Sequence, residues 1–179
     1  FALQNPDGNN LTPMPKDLFE QFSERFGYSL KDNLPELFLK PDGCDVSCVK
    51  WHYCELLCSL FVKNYLTPIQ SWCHEHGLIF TGHLLHEDNL AAQTAVNGSM
   101  QRGYEHMDAP GVDVLWENNF NRNIVKQLQS AGRQCGKKTL LSELYGCTGW
   151  QMTFQNHKAV GDWQSLYGIN LRCQHLSWY

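Results

Sequence analysis

Four short apolar segments constrain the fold of this chain more than any other feature of its sequence. They lie at residues 78–81, 112–116, 139–144 and 169–173, and stretches with helical periodicity precede all four. Short buried strands that alternate with helices form parallel sheets, because a parallel connection needs a long crossover. The sequence therefore predicts an α/β fold with a parallel sheet.

Helices are predicted where apolar residues recur every three or four positions. The clearest helix covers residues 47–76, and Pro68 is expected to kink or divide it because proline has no backbone N–H. The other predicted helices cover residues 16–26, 121–134 and 154–167.

Polar and aromatic side chains gather around the predicted strands, and their placement separates two kinds of parallel α/β fold. They are His83, Glu87, Asp88, Asp113, Trp116, Glu143, Tyr145, Trp150, Asn170, Gln174, His175 and Trp178. A (β/α)8 barrel, or TIM barrel, builds its active site from the carboxyl ends of many strands. A dinucleotide-binding sheet needs a glycine-rich turn, which the sequence does not contain.

A closed barrel needs eight strands and about 250 residues, whereas this sequence has 179 residues. We therefore expect residues 1–179 to be one domain, the C-terminal half of a TIM barrel (about strands five to eight), taken from a longer chain.

Glu143 is the candidate catalytic residue. It ends an apolar strand, where an unpaired carboxylate is costly to bury, so a functional need is the favoured explanation. Glycoside hydrolysis needs one carboxyl group to protonate the leaving oxygen and another to attack the sugar or activate water. The alternative is a structural role, in which Glu143 forms a salt bridge inside the fold.

Further side chains around the strand ends are predicted to bind a sugar through ring faces and hydrogen bonds. They are His83, Glu87, Trp116, Tyr145, Trp150, Asn170, His175 and Trp178. The alternative for each histidine is a satisfied core position. Asp88 is expected to cap a helix that begins near Asn89.

Charge and cysteine content limit the partners. A net charge of −4 with 14 Lys and Arg gives no basic footprint for nucleic acid, and no apolar run is long enough to cross a membrane. The 8 cysteines lack any Cys-x2-Cys pair, so buried free thiols are favoured over structural zinc. Free thiols favour a reducing, cytoplasmic location, with a periplasmic or secreted one left open.

Several segments together resemble bacterial proteins of glycoside hydrolase family 106, the α-L-rhamnosidases and their relatives. These segments are 26–30 (FGYSL), 34–38 (LPELF), 72–78 (WCHEHGL), 81–83 (TGH), 141–146 (LSELYG), 158–163 (KAVGDW) and 168–170 (GIN). The resemblance spans nearly the whole chain, and a looser similarity extends to barrel β-galactosidases of families 42 and 2.

The resemblance implies a strand number and a partner for Glu143. It makes residues 78–83, 112–116, 139–144 and 169–175 strands five to eight, with Glu143 as the strand-seven carboxylate. The strand-four acid would then lie before Phe1, so residues 1–179 alone are expected to be inactive.

Family 106 is associated with inversion and with calcium, which implies that Glu143 is the general base. No cofactor is otherwise predicted. Oxygens of Glu87, Asp88 or Asp113 are the candidates for holding calcium, although no loop has the spacing of a calcium site.

The sequence thus predicts a hydrolase that releases a terminal sugar, α-L-rhamnose by the resemblance, from an oligo- or polysaccharide. Two alternatives stay open. One is a retaining, β-galactosidase-like enzyme, and the other is a barrel that binds carbohydrate without catalysis. A zinc-stabilised structural domain is a third, less favoured possibility.

Overall fold

A computed structural model describes residues 12–39, 43 and 47–175. The helices are α1 (Leu18–Phe26), α2 (Cys48–Phe61), α3 (Thr67–Glu75), α4 (Leu90–Val96), α5 (Met100–Glu105), α6 (Arg122–Gln134) and α7 (Phe154–Leu166). A 3₁₀ helix covers Lys31–Leu37, and a π-helical turn covers Val62–Leu66. The strands are β1 (Thr81–Gly82), β2 (Ala109–Val114), β3 (Leu141–Leu144) and β4 (Leu171–Gln174).

The four strands form one parallel sheet in the order β1-β2-β3-β4. Helices α4 and α5 lie between β1 and β2 along the chain, and α6 and α7 each separate the next pair. The predicted α/β fold with a parallel sheet is therefore confirmed. All four carboxyl ends lie at one edge, which we call the carboxyl edge, and the opposite edge is the amino edge.

One face of the sheet packs against helices. Val112 and Val114 of β2 are buried in a hydrophobic cluster with Ile124 and Leu128 of α6. The cluster also contains residues of α5, β1's following loop and the π-helical turn. This packing fixes the sheet against α5 and α6.

The opposite face carries the carboxylates. Side chains alternate between faces along a strand, and in β3 the buried Ser142 and Leu144 flank a half-buried Glu143. Asp113 pairs in register with Glu143, and Glu143 pairs with Cys173. These three side chains therefore lie side by side on the face away from the helical core.

A second hydrophobic cluster joins α1, the 3₁₀ helix and α2 through buried residues such as Phe22, Leu30 and Tyr53. The side chain of Ser47 caps α2 by accepting hydrogen bonds from the N–H groups of Val49 and Lys50. This cluster lies outside the sheet and anchors the long helical segment that leads to β1.

The predicted helix at residues 47–76 forms as α2, a π-helical turn and α3. The turn ends just before Thr67 and Pro68, and the N–H of Thr67 donates to the carbonyl of Val62. Pro68 cannot donate a backbone hydrogen bond, so a local change of helical pitch near it is the expected response. The segment is divided without being broken.

Strand β2 begins at Ala109, earlier than the predicted start at residue 112. Pro110 and Gly111 are poor strand residues in general. However, a β-carbon on Gly111 would lie 2.9 Å from the carbonyl oxygen of Gly82 and 2.9 Å from a methyl group of Leu141. Glycine allows this close approach of neighbouring strands.

Helix α4 is capped by Asn89, whose side chain accepts a hydrogen bond from the N–H of Ala92. The prediction that Asp88 caps it was therefore wrong by one residue. Helix α5 was not predicted. Among the described residues, no helix combines the length and the apolarity needed to cross a bilayer.

Candidate active site at the carboxyl edge

The residues that end the strands converge on Glu143. His83 Nε2 lies 2.9 Å from Glu143 Oε2, and His175 Nε2 lies 3.9 Å from Glu143 Oε1. His83 follows β1 and His175 follows β4, so three strands contribute to one group. The structure thus brings together three of the side chains that the sequence singled out.

The pair formed by His83 and Glu143 is not enclosed within the fold. The two side chains are 28% and 29% exposed, so solvent reaches both. An ion pair of this exposure contributes at most about 1 kcal/mol to stability. A purely structural salt bridge explains little of why a carboxylate occupies this position.

Asp113 is the fourth member of the group. The sequence placed it at a strand end and among the candidate calcium ligands, but not among the sugar-binding residues. Its Oδ1 is buried and has no hydrogen-bond partner among the described residues. Burial raises the pKa of Asp113, and the Glu143 carboxylate adds to the increase, while His83 and His175 oppose it. A raised pKa favours the protonated form, which reduces the repulsion between two neighbouring carboxyl groups.

A sequence signal for Asp113 existed in the pattern of the two strands. In each, an acidic residue is followed by an apolar residue and then, within two further positions, by an aromatic one. The aromatic residues are Trp116 and Tyr145, and both adopt left-handed backbone conformations, with φ of 77° and 70°. Non-glycine residues rarely adopt this conformation, and such strain clusters at functional sites.

Trp116 and Trp150 present their rings to solvent, with 60% and 89% of each residue exposed. The N–H of Trp116 donates to the carbonyl of Gly146, which links the loops after β2 and β3. Tyr145 differs, because its hydroxyl donates to the carbonyl of His157 at 3.0 Å and its ring lies 4.1 Å from the His157 ring. Tyr145 therefore holds α7 against β3, and its predicted role towards a sugar stays a prediction.

Glu87 is buried next to the Glu143 group and is bound to backbone N–H groups. It is 5% exposed, and its carboxylate accepts hydrogen bonds from the N–H of Asp113 at 2.7 Å and of Leu84 at 3.4 Å. Burial raises the pKa of Glu87 well above its ordinary range, although these two donors act in the opposite direction. Both oxygens are thus occupied by backbone groups, so Glu87 positions the loop after β1 beside β2.

Asn170 does not join this group. It precedes β4 and therefore lies at the amino edge. Its Oδ1 accepts from the N–H of Leu140 at 2.9 Å, and its Nδ2 donates to the carbonyl of Lys138 at 2.8 Å. These bonds join the segments that enter β3 and β4, away from Glu143. Trp178, also predicted to bind sugar, lies outside the described residues.

One ligand atom each of His83, Asp113 and Glu143 lie within 4.8 Å of one another, close enough to hold a metal ion. One imidazole and two carboxylates suit zinc or a similar transition metal, whereas calcium takes six to eight oxygens. The donors considered for calcium do not cluster: Glu87, Asp88 and Asp113 form no metal-binding group among the described residues. The site residues therefore do not fit calcium.

The described cysteines are free thiols. They contribute to no cluster of metal-binding groups in the described ranges, which gives no support to the zinc-stabilised alternative. Cys44, part of that hypothesis, lies outside the described residues.

A scan against models of known protein families gives no match. A search of curated proteins gives no match either.

Proposed function

We propose that this chain is part of a glycoside hydrolase and that its sheet is half of a (β/α)8 barrel. The strand order rises steadily from β1 to β4. Because parallel crossovers are right-handed, a steady order brings every connecting helix to the same face. Doubly wound sheets reverse their order and carry helices on both faces, so the topology favours the barrel.

The face that carries the carboxylates corresponds to the interior of such a barrel, and the carboxyl edge corresponds to its catalytic end. One observation carries the proposal. The partly exposed Glu143 carboxylate lies between His83 and His175 and beside Asp113, at the end where barrel enzymes assemble their sites.

In the proposed reaction, Glu143 acts on the sugar or on the attacking water. His83 can donate an N–H to one carboxylate oxygen, which fixes its orientation and leaves the other oxygen to accept a proton or to attack. His175, on the side of that other oxygen, can bind a sugar hydroxyl or the water. Exposed rings of Trp116 and Trp150 offer faces for the C–H surface of a sugar.

The position of Asp113 limits the choice of mechanism. An oxygen of Asp113 lies within 4.8 Å of an oxygen of Glu143, whereas the two carboxyl groups of an inverting glycosidase are about 6.5–9.5 Å apart. Asp113 is thus too close to be the second carboxylate of an inverting pair. The inversion implied by the resemblance needs an acid from another strand, and Asp113 is assigned to substrate binding.

The proposal is tested with the full-length protein and a panel of 4-nitrophenyl glycosides that includes the α-L-rhamnoside and the β-D-galactoside. Replacing Glu143→Gln should lower kcat at least about 10²-fold, as expected for loss of an acid–base group. Glu105→Gln, at an exposed position on α5, is the matched control and should keep the wild-type rate.

A Glu143→Gln variant with wild-type kcat would remove the basis for the assignment. The anomer first released, followed by NMR, separates an inverting rhamnosidase-like enzyme from a retaining galactosidase-like one. Saccharide binding without hydrolysis by the wild-type protein would instead support the carbohydrate-binding barrel.

A further inference from the structure

A cavity opens at the carboxyl edge beside the Glu143 group, and Asp113 belongs to both. This cavity of about 470 Å³, which we call the Trp116 cavity, lies between the loops that follow β1 and β2. Its lining consists of leucine and isoleucine side chains together with polar and aromatic residues that include His86, Asp88, Asp113, Trp116, Asn119 and Asn121. Its volume is within the usual range for small-molecule sites.

Asp113 lies between the Trp116 cavity and the Glu143 group. It lines the Trp116 cavity, and it also lies within 4.8 Å of the ligand atoms of His83 and Glu143. Glu143, His83 and His175 do not line the cavity. A ligand that occupies both must therefore extend from β3 past Asp113 to the loops after β1 and β2.

The lining chemistry suits a sugar. The leucine and isoleucine side chains supply an apolar floor, and the exposed Trp116 ring supplies a flat wall. Asn119 Oδ1 accepts from the N–H of Asn121, whereas Asn119 Nδ2 has no hydrogen-bond partner among the described residues. An amphipathic ring face together with amide, imidazole and carboxylate groups matches the alternating C–H and hydroxyl surface of a pyranose.

The walls are held in place by the backbone. His86 and Trp116 both adopt left-handed conformations, with φ of 59° and 77°. Glu87 fixes the first loop to β2, and Asn121 Nδ2 donates to the carbonyl of Asp88, which ties the second loop to the first. Hydrogen bonds thus join the two loops that form the walls of the cavity.

We propose that the Trp116 cavity binds a second sugar unit of the substrate. This inference rests on the proposed function and specifies its substrate class, a glycan of at least two linked sugars. The reacting unit lies over Glu143, and the neighbouring unit stacks on Trp116 and accepts a hydrogen bond from Asn119.

The test compares a one-sugar with a two-sugar substrate. The glycoside panel first identifies the sugar that the enzyme accepts. The one-sugar substrate is the glycosyl fluoride of that sugar, whose leaving group carries no ring. The two-sugar substrates are disaccharides that carry the same sugar at the non-reducing end. Trp116→Ala should raise KM for the disaccharide about tenfold or more and leave the kinetics of the fluoride within about twofold, since a tenfold change corresponds to roughly 1.4 kcal/mol of binding.

Asn119→Asp is the second variant, because it keeps the acceptor for Asn121 and replaces the side-chain N–H donor with a carboxylate oxygen. It should raise KM for the disaccharide relative to KM for the fluoride, by a smaller factor than Trp116→Ala does. This variant keeps the proposal testable if Trp116→Ala folds poorly. Trp72→Ala, at an exposed position on α3, is the control and should change neither substrate.

The outcomes separate the two proposals. If the variants hydrolyse both substrates with an unchanged ratio of the two KM values, or with equal changes in both, the second sugar site is wrong and the proposed hydrolase activity still stands. If the panel shows no hydrolysis, binding to arrayed mono- and disaccharides replaces the kinetic readout. Disaccharide binding that Trp116→Ala abolishes then supports the cavity without the enzyme, and no binding at all overturns both.

Discussion

The two edges of the sheet carry the same kind of pair, a histidine against a carboxylate, in two different settings. At the amino edge His74 Nε2 lies 2.9 Å from Asp108 Oδ2, and at the carboxyl edge His83 Nε2 lies 2.9 Å from Glu143 Oε2. Asp108 Oδ2 also accepts a hydrogen bond from the N–H of Phe80. For Glu143, the described residues contain no backbone donor of this kind.

This difference distinguishes the Asp108 carboxylate, which a backbone N–H also holds in place, from the Glu143 carboxylate, which only side chains contact within the described part of the chain. Burial alone would raise the pKa of Asp108, but the Phe80 N–H, His74 and Gln70 lower it more, so its pKa lies below the ordinary value. Asp108 therefore stabilises the start of β1 as an anion. The neighbours of Glu143 are His83, His175 and Asp113, all side chains, so its carboxylate can change partners without loss of a backbone hydrogen bond.

The largest expected effect is that Glu143→Gln loses most of its activity while its stability hardly changes. Along with the loss of kcat, the free energy of unfolding should change by no more than about 1 kcal/mol, because the pair is partly exposed. Urea denaturation of the wild type and the variant measures it. A loss of several kcal/mol would make Glu143 a structural residue like Asp108 and break the comparison.

The next effect is on stability at the amino edge. Asp108→Asn should lower the free energy of unfolding by about 1–2 kcal/mol, because a charge-assisted hydrogen bond to Phe80 and the pair with His74 are weakened together. The kcat of the folded variant should equal that of the wild type. Urea denaturation and the glycoside assay on one preparation check both statements, and an unchanged midpoint would contradict the structural role.

A smaller loss is expected for Asn170→Ala, which removes the two hydrogen bonds that join the starts of β3 and β4. Residue 170 is exposed, so water can replace part of what is lost, and we expect about 1 kcal/mol. Activity should not change. If KM or kcat changed tenfold while stability stayed constant, Asn170 would belong with the substrate-binding residues after all.

The sequence was sufficient to predict the parallel α/β fold and the convergence of Glu143 with His83 and His175. The fold follows from the alternation of helices and short strands, and the convergence follows because the carboxyl ends of parallel strands meet at one edge. Asn170 precedes β4, so the same rule places it at the opposite edge, away from Glu143. The position in the strand mattered more than the residue type.

Other features depend on contacts that no local pattern contains. Glu87 is adjacent in sequence to exposed polar residues, and only the N–H groups of Asp113 and Leu84 make it a buried support. Strand β2 extends through Pro110 and Gly111 because a neighbouring carbonyl and side chain need the space that glycine leaves. In both cases tertiary packing, and not the local strand or loop propensity, determines the structure.

The smallest effect is the pH dependence of the difference between wild type and Asp108→Asn. A carboxyl group with a lowered pKa in the folded state contributes stability above its ordinary pKa of about 3.8 and loses that contribution as the pH falls through the folded value. The two proteins should therefore differ most near pH 6 and converge as the pH falls below 4. Urea midpoints at pH 6, 4.5 and 3.5 measure this convergence, and a gap that widened towards low pH would mean that Asp108 does not act as an anion.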